Sequence, residues 1–281
     1  MIAGRARPYG VLLVTIILIA AGMVLYGRSS GISWVGLRPS PCYPTCFCEE
    51  FHRGSIAQPL SSYSNLWYLL VGLGVLLSPI ISFPGDEQRS NLLLRNTSYV
   101  VAYSSVVVFV GATSYFYHVS LTLLGRWADY LGMYAFASFA VVYGLARMRL
   151  VRGWSFFIAY IIFNICLAIP MVAISDLEFK RAILLGLILA IIGLEGIIFR
   201  IRRPSRTYPV YFITALGTLA LATMVNLLDE SGQWCSHASL WQWHAVWHFL
   251  TAVSIGLLFL YYRTEDDGER SSASDNGYAN N

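Results

Sequence analysis

Hydrophobic positions along this chain fall into long unbroken runs rather than short alternating stretches. Eight runs stand out, near residues 9–27, 61–82, 97–118, 127–147, 154–174, 181–199, 208–228 and 239–262. Each approaches the roughly 20 residues that a helix rising ~1.5 Å per residue needs to cross ~30 Å of hydrocarbon. A segment in lipid must satisfy its own backbone hydrogen bonds, so these runs predict helices. No ten-residue alternation suggests a β-barrel. The expected fold class is all-α: an integral membrane bundle.

The polar intervals divide the chain. Residues 1–27 form an N-terminal membrane segment. Arg5 and Arg7 precede its apolar run, as in a signal peptide, but Ala20-Ala21-Gly22 is a poor cleavage site and the run is long, which favours an uncleaved anchor. Residues 28–60 are the one long loop and carry Pro39, Pro41, Pro44 and three cysteines, a composition that fits an ordered cap outside the membrane. Residues 61–263 hold seven runs and form the core. Residues 264–281 have too few apolar side chains to fold and read as a disordered tail.

Composition agrees with this division. Of 281 residues only 12% are charged, about half the usual share of a soluble domain. The net charge of +4 gives no basic face for nucleic acid, because Lys180 is the single lysine and the arginines sit in short clusters between runs. With the N-terminus inside, 13 basic residues fall on the inner side and 6 on the outer. The positive-inside rule then places both termini in the cytoplasm. The expected surroundings are the bilayer and a membrane lipid, with no protein partner evident.

Ionisable groups within membrane helices are costly and usually functional, and here they cluster. Ser114 and His118 end the third run, Asp129 lies near the start of the fourth, and His244 and His248 lie near the start of the last. Residues four apart share a helix face, so His244 and His248 can address one ion, and Ser114 shares a face with His118. The alternating topology puts all five in the outer half of the bilayer. With the last helix starting near residue 239, His244 lies ~8 Å and His248 ~14 Å along it.

Taken singly, a histidine at a helix end is more simply a snorkelling or hydrogen-bonded residue. Three at matched depth point instead to metal. Three imidazoles with an open fourth position describe a catalytic zinc, which makes a hydroxide nucleophile from bound water near neutral pH. The protease pattern His-Glu-x-x-His is absent, since Ala245 occupies the glutamate position. Asp129 is then the available base, and Ser114 a donor to the water or the oxyanion.

Other polar residues read as structural. Glu195 is placed to pair with an arginine near the inner face. Asn164 and Asn226 read as interhelical hydrogen-bonding residues, and Cys166 as a buried free thiol. His52 and His237 fall in outer loops without a spacing signal, and the tryptophans Trp127, Trp241, Trp243 and Trp247 read as an interfacial belt.

The set Ser114-x-x-x-His118, Asp129 and His244-x-x-x-His248 resembles the signature of the CREST superfamily of seven-helix membrane hydrolases. The nearest resemblance is to the alkaline ceramidases. Cys48-Glu49-Glu50, Ile56-Ala57-Gln58-Pro59, Ser64-Asn65, Asn226 to Asp229, Trp234-Cys235 and Gln242 to His248 add to it. The likeness spans about residues 46–263 and implies a seven-helix core with the first run as an addition. It implies zinc held by His118, His244 and His248, with Ser114 and Asp129 at the zinc-bound water. The implied substrate is a ceramide, cleaved at its amide. It also implies a disulfide between Cys48 and Cys235, with Cys42 and Cys46 as a second pair.

The chain departs from the animal enzymes around their calcium site. Cys46, Phe47 and Phe51 stand where ligands would be, Gln58 replaces an acidic residue, and only Glu49 and Glu50 remain as candidates. The sixth run also has no tyrosine to serve as an oxyanion donor. Two other activities fit the motif: ester cleavage in a lipid, and a seven-helix receptor with a structural zinc. A metal transporter fits poorly, because the cluster occupies one half of the membrane.

Overall fold

A computed structural model describes residues 12–19, 21–23, 37–79, 92–174, 176–202, 209–233 and 235–265. Seven stretches of helix are long and apolar enough to cross a membrane, so the protein is an all-α multi-pass membrane bundle. The helical residues within Leu12–Met23 are α1. The first crossing is made by α2 (Pro59–Tyr63) and α3 (Leu66–Leu77), and α4 (Leu92–Arg95) is a short turn. Then come α5 (Thr97–Ser120), α6 (Leu123–Arg147), α7 (Trp154–Ala173), α8 (Leu177–Arg202), α9 (Pro209–Glu230) and α10 (Trp243–Thr264).

The helices divide into an inner and an outer set. Two thirds of the apolar stretch is buried in α5 and in α6, against 11% in α7 and 17% in each of α8 and α9. The outer helices turn residues such as Ile158, Ile161 and Ile165 outward. In water such faces would be a liability, whereas in lipid they are matched to their solvent. Cys166 belongs to this outer surface. It is exposed rather than buried, because α7 is apolar all round and its sequence does not mark which face turns inward.

A tight hairpin joins α5 to α6. Leu121 takes a left-handed conformation with φ 45°, and the Thr122 hydroxyl accepts a hydrogen bond from Gly125 N at 3.0 Å, which caps α6. Two glycines let the helices close up. A Cβ on Gly132 would collide with Thr113 Oγ1 and lie 3.2 Å from Val110 Cα. One on Gly125 would lie 3.0 Å from Tyr117 Cα. Small residues at such crossings allow close backbone approach in membranes. Here they set Asp129 on α6 opposite Ser114 and His118 on α5.

The described part of the long loop, residues 37–58, covers one end of the bundle, called the cap end below. Cys42 is bonded to Cys46, and Cys48 to Cys235 in the α9–α10 connection. Cys48 N also donates to Asp229 Oδ2 at 3.2 Å. Glu49 ties the cap to the first crossing. Its two carboxylate oxygens accept from Leu60 N at 2.6 Å and Ser61 N at 2.8 Å, at the start of α2. A carboxylate there satisfies helix N–H groups that lack intrahelical partners.

The opposite end is held by buried charge. Arg147 at the end of α6 pairs with Glu195 on α8 and with Glu265 just after α10. Tyr261 Oη donates to Glu195 Oε2 at 2.8 Å. The expected pairing of Glu195 with an arginine is therefore present. Arg147→Leu removes the guanidinium that both carboxylates share. The expected loss is about 3–5 kcal/mol, seen as a lower melting temperature in detergent. An unchanged melting temperature would contradict a structural role for this cluster.

Candidate metal centre

Five side chains singled out in the sequence meet at the cap end. His118 comes from the last turn of α5 and Ser114 from the turn before it. Asp129 comes from the second turn of α6. His244 and His248 come from the first two turns of α10. The last helix begins at Trp243, not near residue 239, so His244 sits at its very start rather than a turn and a half along. Leu240 and Trp241 extend the apolar run in sequence but lie exposed outside the helix. Gln242 stops the helix there by donating from Nε2 to the carbonyls of Ser236, His237 and Ser239.

All three imidazoles are buried. Their ring centroids are 4.7 Å apart for His118–His244, 4.9 Å for His118–His248 and 4.7 Å for His244–His248. One nitrogen from each ring lies within 4.8 Å of the others. His118 Nε2 and His244 Nε2 are 3.1 Å apart.

The far nitrogen of each ring has its own partner. His118 Nδ1 is 3.0 Å from Gln58 Oε1, His244 Nδ1 is 3.0 Å from Asn226 Oδ1, and His248 Nδ1 is 2.7 Å from Ser64 Oγ. The donors of those partners are committed elsewhere. Gln58 Nε2 donates to Glu49 O, Asn226 Nδ2 to Glu230 Oε1, and Ser64 Oγ to Ser61 O. Each partner therefore offers only an acceptor to its histidine, so each Nδ1 carries the proton. In a neutral imidazole the other nitrogen is then a bare lone pair.

Three Nε2 lone pairs thus converge on one buried point. Two acceptors 3.1 Å apart repel unless a cation lies between them. Nitrogens bound at ~2.0–2.1 Å around a tetrahedral ion sit roughly 3.3 Å apart, so the donor set fits zinc. The Nδ1 partners are the outer hydrogen bonds that fix tautomer and ring orientation at such sites. Of these partners, Asn226 was expected to bond between helices, and it does so by orienting a histidine. Gln58 and Ser64 carried no assigned role in the sequence.

The site opens into a cavity that the cap partly covers. Phe47 of the cap lies over His244 with centroids 3.8 Å apart. Phe47, with Cys42 and Cys46, also lines a cavity of about 750 Å³ that reaches Ser114, Asp129, His244 and His248. It continues between α8 and α9 along Leu185, Ile188, Ile191, Phe212 and Leu216. Asp129 is half-buried on its wall, with Ser114 as hydrogen-bonding neighbour. Ser114 Oγ is 3.4 Å from His248 Nε2. At the cap end of the cavity, Arg181 on α8 pairs with Glu230 on α9. Tyr68 and Tyr130 also line it, and sequence reading gave neither a place there.

A second group of potential ligands, Cys48, Cys235 and His237, lies in the cap. Its two sulfurs are joined to each other, and metals bind thiolates rather than disulfides. Glu49 is buried and spent on the α2 cap, while Glu50 is exposed. No three ligating side chains gather around either glutamate among the described residues.

A family model described as Ceramidase matches residues 44–278, more than half of the chain. No curated protein matches it. The match shows that the chain belongs to the ceramidase family, whose members are metal-dependent membrane enzymes that hydrolyse ceramide.

Asn226→Leu should leave the bundle folded while removing the acceptor that orients His244. Loss of such an outer hydrogen bond typically costs about 10–100-fold in metal affinity. Competition of purified protein against a chromophoric chelator reads this directly. Affinity equal to wild type would sink the orienting role.

Proposed function

We propose, from the premise that this chain belongs to the ceramidase family, that it is a zinc-dependent intramembrane amidase. It cleaves the amide of ceramide or a related N-acyl lipid to a long-chain amine and a fatty acid. The observation that carries this reading is the convergence of three neutral Nε2 lone pairs at the head of a lipid-sized cavity. His118, His244 and His248 are the metal ligands in this reading.

When bound, the ion supplies a Lewis acid for the amide carbonyl and a means of ionising water near neutral pH. The chain's own residues supply the rest. Asp129, on the cavity wall beside Ser114, takes the proton from the attacking water and returns it to the departing amine nitrogen. The Ser114 hydroxyl donates to the carbonyl oxygen as it becomes anionic. The apolar wall of α8 and α9 holds the acyl chain and excludes water from the reacting amide. Zinc is the single metal of this reading, and Glu49 serves as a helix cap rather than as a calcium ligand.

A structural zinc would be closed by a fourth protein ligand. The ligand group here has three members, and Asp129 is not among them, which favours the catalytic reading over a receptor. We place the cap, residues 28–60, outside the cytoplasm, with residues 61–263 as the core and residues 264–281 as a cytoplasmic tail. Bonded cysteines in the cap support that side, since disulfides persist in oxidising compartments. The basic-residue count supports it independently.

Two variants separate the roles. His248→Ala should lose zinc and turnover together. Asp129→Asn should keep most of the zinc and lose about 10²–10⁴-fold in kcat. Metal analysis beside a fatty-acid release assay checks both, and stoichiometric zinc in His248→Ala would overturn the ligand set. Ceramide, an N-acyl amino lipid and a phospholipid should be offered in parallel. Release from the phospholipid alone would replace the amidase with an ester-cleaving lipase.

A further inference from the structure

Arg126 is a buried cation with no place in the chemistry above. It lies in the first turn of α6, is 8% exposed, and lines the same cavity as Asp129 and His248. Its guanidinium has no hydrogen-bond or ion-pair partner among the described residues. The nearest acid on its own face is Asp129, one turn further along α6; the two charges attract each other, but the carboxylate's hydrogen bond goes to Ser114 and none joins it to the guanidinium. The other acids at the cavity mouth are also engaged. Glu178 and Glu230 both pair with Arg181.

A second cation stands close by. Lys180 on α8 is buried, with Nζ 5.7 Å from the centroid of the Tyr130 ring. Tyr130 lies one turn after Arg126 on α6, and the two cations are near enough to repel each other. A buried arginine is rare unless paired, because its desolvation must be offset by hydrogen bonds. The geometry therefore describes a receptor for an anionic oxygen group beside the reacting amide.

The position of Arg126 says which half of the substrate carries that group. With the amide at the three histidines, the apolar part of the cavity runs away from the cap toward Ile191 and Phe212. An acyl chain fills that part. Arg126 lies on the cap side of Asp129, where the head of the amine half must sit. We propose that Arg126 selects N-acyl lipids whose amine half bears a carboxylate or phosphate. This rests on the amidase reading and narrows it from neutral ceramide to an acidic relative. The free fatty acid product carries a carboxylate too, and the test separates the two sources.

Binding should be measured on full-length, zinc-loaded protein in detergent, with the scissile amide of each N-acyl lipid probe replaced by a non-hydrolysable ketomethylene, so that hydrolysis plays no part. The probes are ceramide, ceramide 1-phosphate with the same acyl chain, and the free fatty acid. A charge-assisted hydrogen bond in a buried site is worth about tenfold or more in affinity. Wild type should therefore bind ceramide 1-phosphate at least ~10-fold more tightly than ceramide. Arg126→Gln should erase that preference and leave ceramide binding unchanged, and Arg126→Lys should restore part of it. Equal binding of the two lipids by wild type would overturn the proposal, as would a preference that survives in Arg126→Gln. An Arg126-dependent gain seen with the fatty acid alone would assign the residue to product and overturn it equally. Failure of the amidase reading would show separately, as no fatty-acid release from any N-acyl lipid by metal-replete wild type.

Discussion

Three buried imidazoles aimed at one another inside a membrane bundle make an arrangement suited to holding a cation. Each ring is fixed by an acceptor on its far side, and the three acceptors come from three places. Gln58 lies just before α2, Ser64 follows α2, and Asn226 lies on α9. The rings themselves come from α5 and α10. A metal at the centre would therefore tie α5 and α10 to α9 and to both flanks of α2, which would couple folding to metal affinity.

The rest of the cap end serves that geometry. Glu49 fixes the start of α2, and Gln58 and Ser64 flank that helix, so the cap sets two of the three ring orientations through one carboxylate. The Cys48–Cys235 bond joins the cap to the connection that leads into α10. The glycines of α6 bring Asp129 up to α5. The far end carries its own polar cluster around Arg147. Between the two ends the bundle presents lipid-like surface, broken by a cavity between α8 and α9. A substrate made of lipid needs such an entry, because its chains never leave the hydrocarbon.

Much of this was legible in the sequence. The spans follow from apolar runs because lipid permits few other readings. The His244 and His248 pair follows from helical spacing, and its match with His118 from counting crossings. What sequence could not give depends on contacts between segments. Gln58, Ser64 and Asn226 are ordinary polar residues until they are seen against the rings they orient. Cys166 was misplaced because an all-apolar helix carries no periodic mark of its inner face. The start of α10 was misplaced because Leu240 and Trp241 read as helix, whereas the Gln242 amide binds the preceding carbonyls and ends the loop there. The calcium question turned on Glu49, whose bonds to the α2 backbone leave no trace in sequence spacing.

The central claim is that His118, His244 and His248 bind one zinc through Nε2 while the fourth position stays open to the cavity. X-ray absorption at the zinc edge on purified, active protein tests it most directly. The account predicts about three imidazole nitrogens at ~2.0–2.1 Å, a further light donor, and no sulfur. Sulfur scattering near ~2.3 Å would move the metal to the cysteines of the cap, and active protein without bound zinc would contradict the account outright.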